Sequence, residues 1–222
     1  AARDNGGTWS NRPSSSLVNV LLPWRPQTTA NFVQQAAAVR ALILESPSVG
    51  WPLLIGLLPN SHSTSSGSRK PIWFRAIPDD WKEGVAVKDY WTQVDIYAGL
   101  AIDLAVADVT RVPQLAKHFA DLPPACQKQF LAQLGSEKIA QLPETERAPI
   151  WSTLVELISR HKRHASAPWA MQLDRLDEVS AVVAQLAPRD PFVLYQRLFS
   201  NNDFDLLEGD GDDYEAQQAE LQ

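Results

Sequence analysis

The sequence predicts an all-α protein made of stacked helix pairs, an α-solenoid of the HEAT-like kind. Three observations predict it. Apolar residues recur at spacings of three and four from Thr29 onward, a Leu-Pro motif repeats 20 residues apart, and the 222-residue composition, 45% hydrophobic and 21% charged, is that of an ordinary folded domain. A chain of this length buries a sizeable core, either as one domain or as a small domain packed on a larger one.

The first 28 residues contain Gly6, Gly7, Pro13, Pro23 and Pro26 and read as an irregular segment packed on the body, with one short helix from Ser14 or Ser15 to Leu22. Thr28 or Thr29 can cap the next helix, whose stripe is Phe32, Val33, Ala36, Ala37, Arg40 and Ile43 and which runs to about Glu45. Ser46-Pro47 starts a second helix holding Val49, Trp51, Leu54, Ile55 and Leu58, since proline suits a first helical turn, and Pro59 ends it. These two form the first helix pair.

A long loop from residue 60 to 84 follows, with a Ser/Thr-rich run and then Pro71, Trp73, Pro78 and Trp81. Loops of this length in compact domains are either functional or linkers. The helix expected from Val87 to Ala107 is apolar on two adjacent faces, Tyr90, Trp91, Val94, Ala98, Ala101 and Ala105 on one and Ile96, Leu100 and Leu104 on the other, so it sits between neighbours.

Ala120-Asp121-Leu122-Pro123 then recurs as Ala140-Gln141-Leu142-Pro143, and Phe130, Leu131 and Leu134 recur as Ile150, Trp151 and Leu154 at the same offset of 20. One helix plus one turn per 20 residues implies pairs of about 40 residues. Two copies are few, and coincidence is the competing explanation. After a helix ending near Ser159, the basic run Arg160 to His164 suits a helix C-terminus. Leu176, Val179, Val183 and Leu186 form another stripe, and Asp190-Pro191 opens a last helix with Phe192, Tyr195, Leu198 and Phe199. The expected organisation is therefore an N-terminal segment 1–28, a helical-repeat body 29–200 and an acidic tail or linker 201–222.

Charge follows that division. The tail carries eight acids and no Lys or Arg, which accounts for more than the whole net charge of −6 and leaves the first 200 residues slightly positive. That balance disfavours nucleic acid as a general partner. Cys126, the single cysteine, excludes an internal disulfide, no signal peptide is recognisable, and no apolar run reaches the roughly 18 residues of a membrane span. A cytoplasmic location is expected. The start at Ala1 and the turn-rich Asn5-Gly6-Gly7 read as the middle of a longer polypeptide or as a trimmed chain.

The candidate binding residues lie in the loop: His62, Thr64, Ser65, Ser68, Arg69, Lys70, Trp73 and Arg75. Hydroxyls and a glycine-freed backbone at Gly67 could hold an anion, and Trp73 with Arg69, Lys70 and Arg75 is the residue mix that interface hot spots favour. The run lacks phosphate-loop spacing, and a surface linker is the alternative. The four histidines are too dispersed for a metal cluster, the acids Asp203 to Asp213 fit no EF-hand register, and Cys126 lacks a nucleophile signature, so neither metal nor cofactor is expected.

The strings Gly6-Gly7-x-Trp9-x-Asn11-Arg12-Pro13, Leu22-Pro23-Trp24-x-Pro26-Gln27-Thr28 and His62-Ser63-Thr64-Ser65-x-x-Ser68-x-Lys70-Pro71-x-Trp73 resemble the helical-repeat region of large bacterial antiphage sensor proteins. Those proteins join a Sir2-like or TIR effector, often with a STAND-type nucleotide-binding domain, to a long α-solenoid. The resemblance covers residues 6–91. It departs from the family at Phe74, which separates Trp73 from Arg75. It implies a sensor or scaffold segment in a defence protein, not an active site; independently, stacked helix pairs offer extended surfaces that bind a protein partner or other domains of the same polypeptide. The alternative is a small hydrolase or nucleotide-dependent enzyme using the Ser61 to Lys70 loop.

Overall fold

The computed structural model describes residues 13–60, 77, 79 and 84–190, and every regular element among them is helical. The all-α class is therefore correct. The chain divides into two compact units, Ala1–Phe130 and Leu131–Gln222.

In the first unit, α1 (Pro13–Leu21) packs on α3 (Pro47–Leu57), which pairs with α2 (Phe32–Glu45), and both lie against the long α4 (Val87–Ala107). A 3-10 turn (Val109–Arg111), α5 (Val112–Ala116), a second 3-10 turn (Phe119–Asp121) and the start of α6 (Pro124–Leu134) follow. The expected bounds of α4 are those observed. Its buried face is Gln93, Val94, Tyr97, Ala98, Ala101, Ile102 and Ala105. Small alanines at that face let neighbouring helices approach closely, so α4 is the central helix of this unit.

The start of α2 differs from expectation. Neither Thr28 nor Thr29 caps it. Asn31 does, through a reciprocal box in which Gln34 N–H donates to Asn31 Oδ1 and Asn31 N–H donates to Gln34 Oε1, each at 3.0 Å. The buried face is also rotated from the expected stripe. Gln35, Ala36, Val39 and Ile43 are buried, whereas Val33, Ala37 and Arg40 face outward with Leu44, which is 81% exposed.

The α2–α3 turn is tight because Gly50 sits on the backbone of Ile43. A Cβ there would stand 2.7 Å from Ile43 Cα. Ser46 N–H donates to Leu42 O, closing α2, and Pro47 opens α3 one residue later.

The two copies of the offset-20 motif share a local turn, although the helices on either side of it differ in length. Leu122 N–H donates to Phe119 O and Leu142 N–H to Ile139 O, both at 3.2 Å, and Leu-Pro then leads into α6 and into α8 (Glu144–Arg163). The equivalent residues Gln127 and Arg147 each reach back from the helix to the preceding turn. Gln127 Nε2 donates to Ala120 O and Leu122 O, and Arg147 Nη1 donates to Ala140 O. Phe119 and Ile139, Phe130 and Ile150, Leu131 and Trp151, and Leu134 and Leu154 are all buried.

In the second unit, α7 (Glu137–Ala140) precedes α8, and α8 pairs with α9 (Leu173–Leu186). The two run antiparallel: Met171 N–H donates to His161 Nδ1 near the end of α8, and Asp190 N–H donates to Glu144 Oε1 at its start. Helix α8 continues to Arg163, past the expected end near Ser159, because Ile158 and the buried His161 extend its core face. On α9 the stripe is Leu176, Val179, Val182 and Leu186, with Val182 buried where Val183 was expected. The last helix expected after Asp190 and the acidic tail lie outside the described residues.

Gly50→Ala forces the α2 and α3 backbones apart and should lower stability by about 1–3 kcal/mol. Gly99→Ala, in the middle of α4 where no atom of the described residues beyond the helix's own adjacent backbone lies within 4 Å of the new methyl, should raise it by roughly 0.5–1 kcal/mol. Urea unfolding of both variants measures this, and a Gly50→Ala protein as stable as the parent would refute the close approach.

Candidate interaction surface

The residues expected to bind, His62, Thr64, Ser65, Ser68, Arg69, Lys70, Trp73 and Arg75, all lie outside the described residues. What the structure shows is the chain on either side of the long loop expected from residue 60 to 84. Each end lines a groove of the first unit.

The departing end, Pro59 and Asn60, forms one wall of an open groove of about 490 Å³. The other walls are Tyr90 and Trp91 at the start of α4 and Ala120 to Pro124 with Gln127 at the Leu-Pro turn. Trp91 is 45% exposed rather than part of the core face expected for it. Its ring meets that of Tyr90 edge to face, with centroids 4.9 Å apart. Burial and then the charge of Asp121 push the Tyr90 hydroxyl above its usual pKa, so it is a neutral donor at ordinary pH.

The returning end, Gly84 to Ala86, lines a second groove of about 370 Å³ with Thr28 to Asn31, Asp89, Gln35 and Gln93. At its base is a buried polar chain. Gln93 Nε2 donates to Gln35 Oε1 at 3.0 Å and to Tyr97 Oη at 2.7 Å, and Gln35 Nε2 donates to Ala30 O at 2.8 Å. Burial raises the Tyr97 hydroxyl to about 12 against the opposing Gln93 bond. These groups satisfy one another and hold helices together.

The remaining polar groups considered from the sequence have similar work. His118 bonds the backbone of Pro59, and burial first, against a raising effect of Asp121, holds its pKa below the usual histidine value. Cys126 is buried with its Sγ 3.9 Å from Asp95 O, and burial with the Asp95 charge raises its pKa, which keeps it a thiol. Trp51 Nε1 donates to Gln114 Oε1 at 2.7 Å beneath the Arg111 guanidinium, tying α3 to α5.

In the second unit the basic run forms the last turn of α8, and Trp169 lies against it. Arg160 is 5.1 Å from the Trp169 ring, and the His161 and His164 rings are 5.3 and 5.5 Å from it. Sequence reasoning did not single out Trp169, nor Asp121 and Pro124 as groove walls. The adjacent Tyr90-Trp91 pair was the signal available for the first groove.

No family model matches the chain, and no curated protein or solved structure gives a significant match.

His118 is neutral in the fold and binds a proton more readily once unfolded. Its contribution to stability is therefore complete above the ordinary histidine pKa of about 6.5 and is lost as pH falls through the depressed folded value. Urea midpoints measured above and below that range should fall less on acidification in His118→Gln than in the parent, and identical slopes would exclude the effect.

Proposed function

We propose that this chain is a non-catalytic helical interaction segment of a larger protein, and that the groove between α4 and the Leu122-Pro123 turn receives a protein partner. The observation that carries this is Trp91: a large aromatic ring, nearly half exposed, braced edge to face by Tyr90 at the mouth of a concave surface. Rigid aromatic residues in a cleft with a polar margin, here Asp121, Asn60 and Gln127, are the usual anchors of protein recognition. The segment 61–75 leaves the described chain at that groove, which supports a shared contact with its candidate residues.

The setting in bacterial antiphage defence rests on the resemblance of residues 6–91 to helical-repeat regions of sensor proteins. The enzymatic alternative needs a histidine or carboxylate with perturbed pKa in a cleft beside the Ser61 to Lys70 loop. His118 has a depressed pKa and bonds the backbone of Pro59, two positions before that loop begins in the sequence, which gives it a structural task.

The test is affinity capture with the intact parent protein from infected and uninfected cells, using the parent sequence, Trp91→Ala, and a Gly/Ser replacement of residues 61–70. A specific partner should appear, and Trp91→Ala should weaken its binding by about 10–30-fold while leaving the thermal midpoint of the chain unchanged. Undiminished capture by Trp91→Ala would remove the groove from the contact.

A further inference from the structure

The end of α8 offers a second surface, independent of the groove. Trp169, 46% exposed, and Leu173, 70% exposed, are large apolar side chains where the chain turns into α9, the His164 ring lies 5.5 Å from that of Trp169, and Arg160 and Lys162 are exposed in the last turn of α8. The Arg160 guanidinium already lies against the Trp169 ring. The acids that begin α9 are occupied locally: Asp174 Oδ1 accepts from the Arg175 N–H, and Arg175 pairs with Glu178. A ligand fitting this patch alternates carboxylates with apolar side chains, because arginine and lysine pair with the first while Trp169 and Leu173 bury the second.

The chain contains such a sequence. Asp203-Phe204-Asp205-Leu206-Leu207-Glu208 and Asp213-Tyr214-Glu215 alternate the two classes, and residues 201–222 hold eight acids and no Lys or Arg. Its point of departure is fixed by Asp190, bonded to Glu144 at the opposite end of α8. The 20 residues of α8 span about 30 Å, and residues 191–202 reach up to about 40 Å when extended. The acidic segment can thus reach the far end of the helix it departs from.

We propose that the basic end of α8, with Trp169 and Leu173, is the docking surface for this chain's own acidic segment, residues 203–215, bound in cis. The segment covers the patch and competes with any other anionic partner for it. Effective concentration favours the tethered segment over the same segment on another molecule. The contact weakens with salt, since its charges lie at the surface.

Zero-length carbodiimide coupling of the full chain tests this, joining lysine amines to carboxylates they touch, with mass spectrometry of a mixture of isotopically light and heavy protein. The expected result is that Lys162 links to residues 203–215 far more than Lys88, Lys117, Lys128 or Lys138 do, and within one molecule. The links should fall several-fold at about 1 M salt, where the screening length is roughly 3 Å, and in the Arg160→Gln/Trp169→Ala variant, whose helical circular dichroism is checked against the parent. Tail links spread evenly over these five lysines, links joining light to heavy copies, or links untouched by the double substitution would each overturn the proposal.

Discussion

A buried amide must find partners within its own surroundings, and in the first unit that obligation falls on Gln93. Its Nε2 donates to Gln35 on α2 and to Tyr97 on its own helix, while Gln35 passes the chain on to the carbonyl of Ala30. Leaving such a group unpaired costs about 1–3 kcal/mol, so the network sets the rotation of α4 against α2. Slipping α4 by one residue turns it about 100° and carries the amide into alkyl surroundings. With Gln93 facing inward, Trp91, two residues earlier and about 200° round the helix, faces out. Its neighbour Tyr90 stands at the margin between core and groove. The exposed ring that we take as a recognition anchor therefore follows from a hydrogen bond in the core.

The bounds of α4 and the break between α2 and α3 were legible from residues 46–59 and 87–107, because each boundary has a local cause. Proline suits the first turn of α3, and α4 holds its helical spacing from Val87 to Ala107 with no proline inside it. The rotation of α2 was not legible. That helix is apolar on both sides, with Val33 and Leu44 outward and Val39 and Ile43 inward, so hydrophobic spacing alone admits two phases. What decides between them is Gln35, a polar residue in the core, and its partner is 58 positions away. Pattern reading assigns glutamine to the surface and misses the pairing.

The groove was hidden for a related reason. Its walls come from Pro59, from Tyr90 and Trp91, and from Ala120 to Gln127, segments some thirty positions apart that only the fold assembles. Sequence analysis instead favoured the compact run Ser61 to Arg75, whose chemistry is written in consecutive residues and which lies outside the described chain. The surface at Trp169 had half its signal in view, the basic run Arg160 to His164. The other half, an aromatic residue placed against that run by the turn between α8 and α9, came from folding.

The two Leu-Pro junctions differ from the Gln35–Gln93 bond in reach. Gln127 and Arg147 close onto carbonyls five to seven residues behind them, through loops that cost little chain entropy to shut. Such closures can form before distant segments meet. They mark 119–134 and 139–154 as places where native structure can begin during folding, while the α2–α4 register waits for a search across 58 residues. A chain emerging from the ribosome would thus complete its N-terminal half only after residue 93 is free to turn back, and until then the face of α2 that meets α4 stands without its partner. The register of α2 against α4 is the step that waits longest for its partner, and one glutamine pair fixes it.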